Sequence, residues 1–104
     1  MYARNVTFRI KTNVQSDFTH MFENQILPLL RNHKGFKEEI TLCSPGSAEV
    51  VSISLWEHKG NADDYNTRTY PEVLKTLAKV IDGTPRVQTF ETVVSTFHNV
   101  HASV

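Results

Sequence analysis

The chain of 104 residues balances eleven basic against eleven acidic residues and has a single cysteine, so it carries no net field for nucleic acid or an anionic bilayer and no internal disulfide. No stretch approaches the roughly 20 apolar residues that cross a membrane, and the opening MYARNVTFRIK alternates instead of forming the apolar run of a signal peptide, which predicts a soluble cytoplasmic protein. A chain of this length fits one domain, residues 1–104, and buries roughly 60 to 70% of the surface its unfolded form exposes, so a partner covering a sheet face would add materially to stability.

From Tyr2 to Thr12, Val6, Phe8 and Ile10 alternate with Asn5, Thr7, Arg9 and Lys11, the period of a strand with one apolar and one polar face. Ser16-Asp17 opens a helix with Ser16 as cap, and Phe18, Met21, Phe22, Ile26, Leu29 and Leu30 form its buried stripe. Pro28 predicts a kink or short break near Asn24 to Leu27, and Gly35 supplies the left-handed termination. Phe36 to Cys43 and Ala48 to Glu57 are strands joined by the turn Ser44-Pro45-Gly46-Ser47, a hairpin in which Cys43 reads as a small, partly buried strand residue.

After the second strand of that hairpin, Asn61 caps a helix running to about Val80, whose apolar surface includes Tyr65, Tyr70, Val73, Leu74, Leu77 and Ile81 and which Pro71 bends or divides. Asp82-Gly83-Thr84-Pro85 turns the chain into a final strand over Val87 to Phe97. The order strand, helix, strand, strand, helix, strand is that of an α+β, ferredoxin-like (βαββαβ) antiparallel sheet with two helices on one face. If the strand face carrying Val6, Phe8 and Ile10, or Val51, Ile53 and Leu55, lies away from the helices, a dimer is required; periodicity leaves both placements open.

The chain resembles the antibiotic biosynthesis monooxygenase-like proteins of the dimeric alpha-beta barrel superfamily. The resemblance runs through Leu27-Pro28-Leu29-Leu30, Lys34-Gly35-Phe36, Ile53-Ser54-Leu55-Trp56 with Ala62 and Tyr65, Tyr70-Pro71-Glu72-Val73-Leu74 and Thr89-Phe90-Glu91. It implies a homodimer packed sheet against sheet, with Val51, Ile53 and Leu55 between subunits and Trp56, Ser54 and Ser52 facing a ligand cleft under the helices. One branch of that family oxidises aromatic phenols without metal or flavin and carries an asparagine ahead of the tryptophan on the same strand, where this chain has Ser52. The haem-degrading branch uses a first-strand asparagine, which Asn5 would match, and a second-helix histidine, which is missing between Asn61 and Ile81.

Serines at 52 and 54 occupy little volume and leave room for a ligand beside the indole, where about 300 Å³ or more would be ligand-sized; the alternative is Trp56 wedged under a helix end as core. In the reading that follows, the candidate catalytic residues are Trp56 to position an aromatic ring, Ser52 or Asn5 to hydrogen-bond a developing oxyanion, and Tyr65 or Arg68 to steady its charge. The resemblance implies no organic cofactor, and no metal is expected, since the five histidines form no converging set; His58, just past the strand, is the one suited to acid–base work. A small aromatic molecule and a second copy are the expected partners. The competing reading is a non-catalytic dimeric protein that holds a small ligand or serves in stress.

Overall fold

The computed structural model describes residues 1–96 and the backbone of residues 100–101. Four antiparallel strands, β1 (Tyr2–Ile10), β2 (Phe36–Cys43), β3 (Glu49–Trp56) and β4 (Ile81–Glu91), form one sheet in the order β2-β3-β1-β4. Between β1 and β2 run α1 (Gln15–Met21), a π-helical turn (Phe22–Ile26) and α2 (Leu27–Arg31); between β3 and β4 run α3 (Lys59–Arg68) and α4 (Tyr70–Leu77). A short ladder pairs β5 (Val94–Ser95) with β6 (Val100–His101). The sheet and its helices are the ferredoxin-like α+β arrangement that the sequence predicts.

Both helix prolines act where expected. Pro28 has no amide hydrogen to give the carbonyl of Asn24, and the helix widens into the π-turn immediately before it. Pro71 separates α3 from α4 at Thr69 in the same way. Gly35 has φ of +83°, and a side chain there would collide with that of Asn61, so the loop after α2 can close onto the start of α3 only with glycine.

Three local expectations are corrected. Helix α1 starts at Gln15 with Phe18 N–H bonded to Val14 O at 2.8 Å, which leaves Ser16 inside the first turn and not at the cap. Helix α3 starts at Lys59, so Asn61 caps from within: its Oδ1 accepts the His58 backbone N–H at 3.1 Å. The last strand begins at Ile81, six residues before Val87. Asp82 to Pro85 are absorbed into it as an irregularity, with Gly83 at φ of +72° and the register slipping between Thr7 and Arg9. Because β4 is an edge strand, Pro85 is tolerated there. Phe97 lies outside the described residues.

The register decides the faces. Val6 stands opposite Ser52 and Phe8 opposite Val50, so these share the face under the helices with Arg4, Ser54 and Trp56. There Val6, Phe8, Phe18, Ile26, Leu30, Val73 and Leu77 form the core. Asn5 stands opposite Ile53, and Ile53 opposite Ile40, on the other face, which none of the described helices covers. On that face Ile40 and Phe90 stay half exposed, at 53% and 50%. Among the described residues no helix is long and apolar enough to cross a membrane.

Candidate functional site

Two environments share the space beneath the helices. At the end of β3, Trp56 is fully buried, with its ring 5.1 Å from that of Tyr65, 5.6 Å from Phe36 and 5.7 Å from His33. Its Nε1–H donates to Ser54 Oγ at 2.9 Å, so the hydroxyl that was to leave room for a ligand satisfies the indole instead. The expectation of ligand-sized room beside the indole is therefore corrected: the free cavity that Ser52 and Ser54 help to line is about 20 Å³, room for one water.

The walls of that cavity are where the polar groups gather. Arg4, only 3% exposed, reaches up from β1; its guanidinium lies 4.0 Å from the Tyr70 ring centre and 5.1 Å from that of Tyr65, and Nη2 donates to Asn66 Oδ1 at 2.8 Å. The guanidinium covers the face of the Tyr70 ring and lies close enough to its hydroxyl that each group favours the charged form of the other.

From edge strand β2, Glu39 Oε1 accepts hydrogen bonds from Ser52 Oγ at 2.5 Å and Thr41 Oγ1 at 2.7 Å. Burial pushes the Glu39 carboxyl up to about 7, against the two hydroxyl donors and the charge of Arg4, which favour the ionised form. Loss of solvent raises both the Tyr65 and Tyr70 hydroxyls above their ordinary value and lowers Arg4. Both tyrosines therefore stay protonated at neutral pH and can donate.

Glu39 and Phe22 also belong to the wall of a surface groove of about 220 Å³, which runs between the π-helical turn and β2 past Thr19, Leu27, Thr41 and Cys43. The groove and the cavity share Phe22 and Glu39 in their walls. Phe22 sits in the π-turn that Pro28 forces, so the widened helix sets the position of the ring that the two spaces share.

Of the residues singled out from sequence, Ser52 and Tyr65 line the cavity, with Tyr70 beside them. Trp56 stands behind Tyr65 and Ser54, touching both but not lining the cavity. Asn5 lies on the opposite sheet face, where its Oδ1 accepts a hydrogen bond from Thr7 at 3.3 Å. Arg68 is on the exposed side of α3 and pairs with Asp64 at 2.8 Å. His58 is exposed at the start of α3. Among the described residues, no group of three or more His, Cys, Asp and Glu side chains converges as metal ligands would.

Sequence reasoning missed Arg4 and Glu39. The signal for Arg4 was available: it falls in phase with Val6, Phe8 and Ile10, a charge on an apolar face. Glu39 gave none, because the apolar phase of β2, Ile40 and Leu42, belongs to the uncovered face.

No protein-family profile matches the sequence, and no curated protein does. The structure, however, is similar to SnoaB, a cofactor-independent oxygenase from Streptomyces nogalater, with a TM-score of 0.76 at 12% identity over 93% of this chain and 97% of that one. It is similar also to the monooxygenase from the gene ActVA-Orf6 of Streptomyces coelicolor, solved with the ligand nanaomycin D, with a TM-score of 0.75 at 16% identity over 92% and 90% of the two chains. A protein of unknown function from Nitrosomonas europaea, NE2512, matches as well, with a TM-score of 0.74 at 14% identity over 92% of each chain. At these identities the likeness is one of fold.

Proposed function

We propose that this chain, which has the fold of the antibiotic biosynthesis monooxygenase-like proteins, is a cofactor-independent oxygenase-like enzyme acting on a small aromatic phenol or quinol. Glu39 is its base. The observation that carries this reading is a carboxyl raised to about 7, held by two hydroxyls at the boundary between a surface groove and a buried polar cavity. A base that titrates near neutrality is half ionised where it works, and it lies within reach of a ring entering from the groove.

The chemistry balances without a cofactor. Glu39 takes the phenol proton, and the electron-rich phenolate supplies the electrons that dioxygen needs. A ring C–H becomes C=O with one oxygen atom of dioxygen, the other atom leaves as water with the two hydrogens lost, and the phenol becomes a quinone. The groove, smaller than the roughly 300 Å³ of a drug-sized pocket, suits a single ring and requires Phe22 to swing aside. In this reading Tyr65 borders the ring, Ser52 orients Glu39, and Trp56 supports Tyr65 from behind. Asn5 and Arg68 have no part in it.

Ile40, Leu42 and Phe90 on the uncovered sheet face support a second copy of the chain as the partner there. A depression of about 420 Å³, bounded by Ile40, Ile53 and Leu55, offers side chains from that copy a place to enter.

Oxygen uptake with a panel of one-ring phenols and quinols tests the enzyme. Turnover should rise with pH through about 7, and Glu39→Gln should lower it by about 10²- to 10⁴-fold. Undiminished turnover in that variant would remove Glu39 as the base. One observation favours the non-catalytic alternative: the small cavity of about 20 Å³, with Trp56 packed solid beside it. Binding of phenols without any oxygen uptake would select it.

A further inference from the structure

The chain as a whole carries no net charge, but the groove beside the π-helical turn does. Among the described residues that line it, the charged ones are Glu23, from that turn, and Glu39, from β2, and both are acidic. The Glu23 carboxylate has no ion-pair partner among the described residues, and the partners of Glu39 Oε1 are hydroxyls, which bring no positive charge. Phe18 and Phe22 come from the same helical wall as Glu23. The face of an aromatic ring attracts a cation and repels an anion, and a cleft with apolar walls and charges of one sign strengthens that field. Arg4, which would oppose it, lines the cavity and not the groove, with its guanidinium held against Tyr70 and Asn66.

We propose that the groove selects phenols that carry an ammonium group and rejects those that carry a carboxylate, with Glu23 as the residue that sets the preference. The proposal rests on the phenol reading above for the ring and for its entry through the groove, but not on turnover.

The reaction gives such a preference a use. Once Glu39 has taken the phenol proton, the negative charge sits on the ring while Glu23 keeps its own, so a neutral phenol leaves two negative charges in a groove of about 220 Å³. An ammonium group on the ring balances one of them. A carboxylate on the ring adds a third. The effect is electrostatic and close to solvent, so salt screens it, and an exposed carboxylate such as Glu23 supplies a few-fold of it and not orders of magnitude.

The test uses the full chain at about pH 8, where Glu39 is mostly ionised, and at about 0.01 M ionic strength, where screening is weak. The probes are three one-ring phenols: tyramine with an ammonium group, 4-hydroxyphenylacetate with a carboxylate, and 4-ethylphenol with neither. Calorimetry should find tyramine bound about tenfold or more tighter than 4-hydroxyphenylacetate, a ratio that shrinks as salt is added. Glu23→Gln should lower that ratio about threefold and leave the affinity for 4-ethylphenol as it is. Glu23 is exposed, so the variant keeps the fold. Cys43, the single cysteine of the chain, lines the groove, so the rate at which the neutral reagent 4,4′-dithiodipyridine modifies it reports whether the groove is occupied. Tyramine should slow that reaction.

Binding of none of the three probes, equal or tighter binding of the carboxylate, a ratio unchanged in Glu23→Gln, or bound tyramine that leaves Cys43 as reactive as before would overturn the proposal. A preference for tyramine that depends on Glu23, in a protein that consumes no oxygen with any phenol, keeps the proposal and removes the oxygenase. Oxygen uptake that is the same with all three rings removes the proposal and keeps the oxygenase.

Discussion

Both faces of the sheet carry exceptions to the pattern of an ordinary half-covered sheet, in which polar residues face water and apolar ones face the helices. Beneath the helices lie Arg4, Ser52 and Ser54, with Glu39 and Thr41 at the edge. On the face without helices, Ile40, Leu42 and Phe90 are about half exposed. Burying polar groups is costly unless they are matched, and exposing large apolar ones forgoes roughly 1.5 to 3 kcal/mol each. In the proposed reading the covered side serves chemistry and the uncovered side a second copy of the chain. Each half of that contrast can be broken separately.

The largest effect is expected at the part of the covered face that is packed and dry. Trp56→Ala removes a fully buried indole from contact with His33, Phe36 and Tyr65 and should cost about 3 to 5 kcal/mol, read as a lower urea midpoint. A loss under about 1 kcal/mol would mean that the indole faces open space. On the uncovered face, Ile53→Asp places a charge at the centre of the proposed interface. The wild type should sediment as a dimer and this variant as a monomer, with an association loss of about 2 kcal/mol or more. A wild type that is monomeric at micromolar concentration would leave the exposed apolar residues without a partner of their own kind.

The polar half of the covered face has its own signature in pH. The Glu39 carboxyl holds its proton up to about 7 in the folded chain but only to its ordinary 4.5 in the unfolded one. Between those values the folded state binds the extra proton, so stability falls as pH rises from about 4.5 to 7 and levels off above. The loss is on the order of 2 kcal/mol, discounted for the partial solvation of the side chain. Glu39→Gln should abolish that slope, melting higher than the wild type at pH 8 and about equally at pH 4.5. Parallel melting curves against pH for the two proteins would place Glu39 in contact with water.

Much of this contrast was legible in the sequence, and what was not has a common cause. Alternation assigned the members of each strand face, so Val6 with Phe8 and Val51 with Ile53 were grouped as they stand in the fold. Alternation cannot say which face the helices cover, because that is settled by register and by where the helices pack. Val6 and Val51 thus look alike in sequence and lie on opposite sides of the sheet. The same gap hid Glu39: with Ile40 and Leu42 taken as the buried phase, its own side reads as solvated. Pro28 and Pro71 were readable because a missing amide hydrogen acts locally. Ile81 was misplaced on the helix because a bulge at Gly83, a tertiary accommodation, turns a turn-like sequence into strand.

The smallest predicted effect sharpens the role of the small polar residues on the covered face. Ser52 Oγ donates to Glu39 at 2.5 Å and thereby favours the ionised carboxyl. Ser52→Ala removes that donor and leaves Thr41 as the remaining one. A hydrogen bond to a charged group, partly replaced by water at the groove mouth, contributes about 1 kcal/mol, which moves the ionisation of Glu39 upward by under about one pH unit. The rising limb of the turnover profile should follow it to higher pH, with the same plateau once Glu39 is ionised. If instead the plateau falls and the midpoint stays, Ser52 acts on the substrate directly and not through Glu39. The variant thus separates a serine that tunes the base from one that touches the ring.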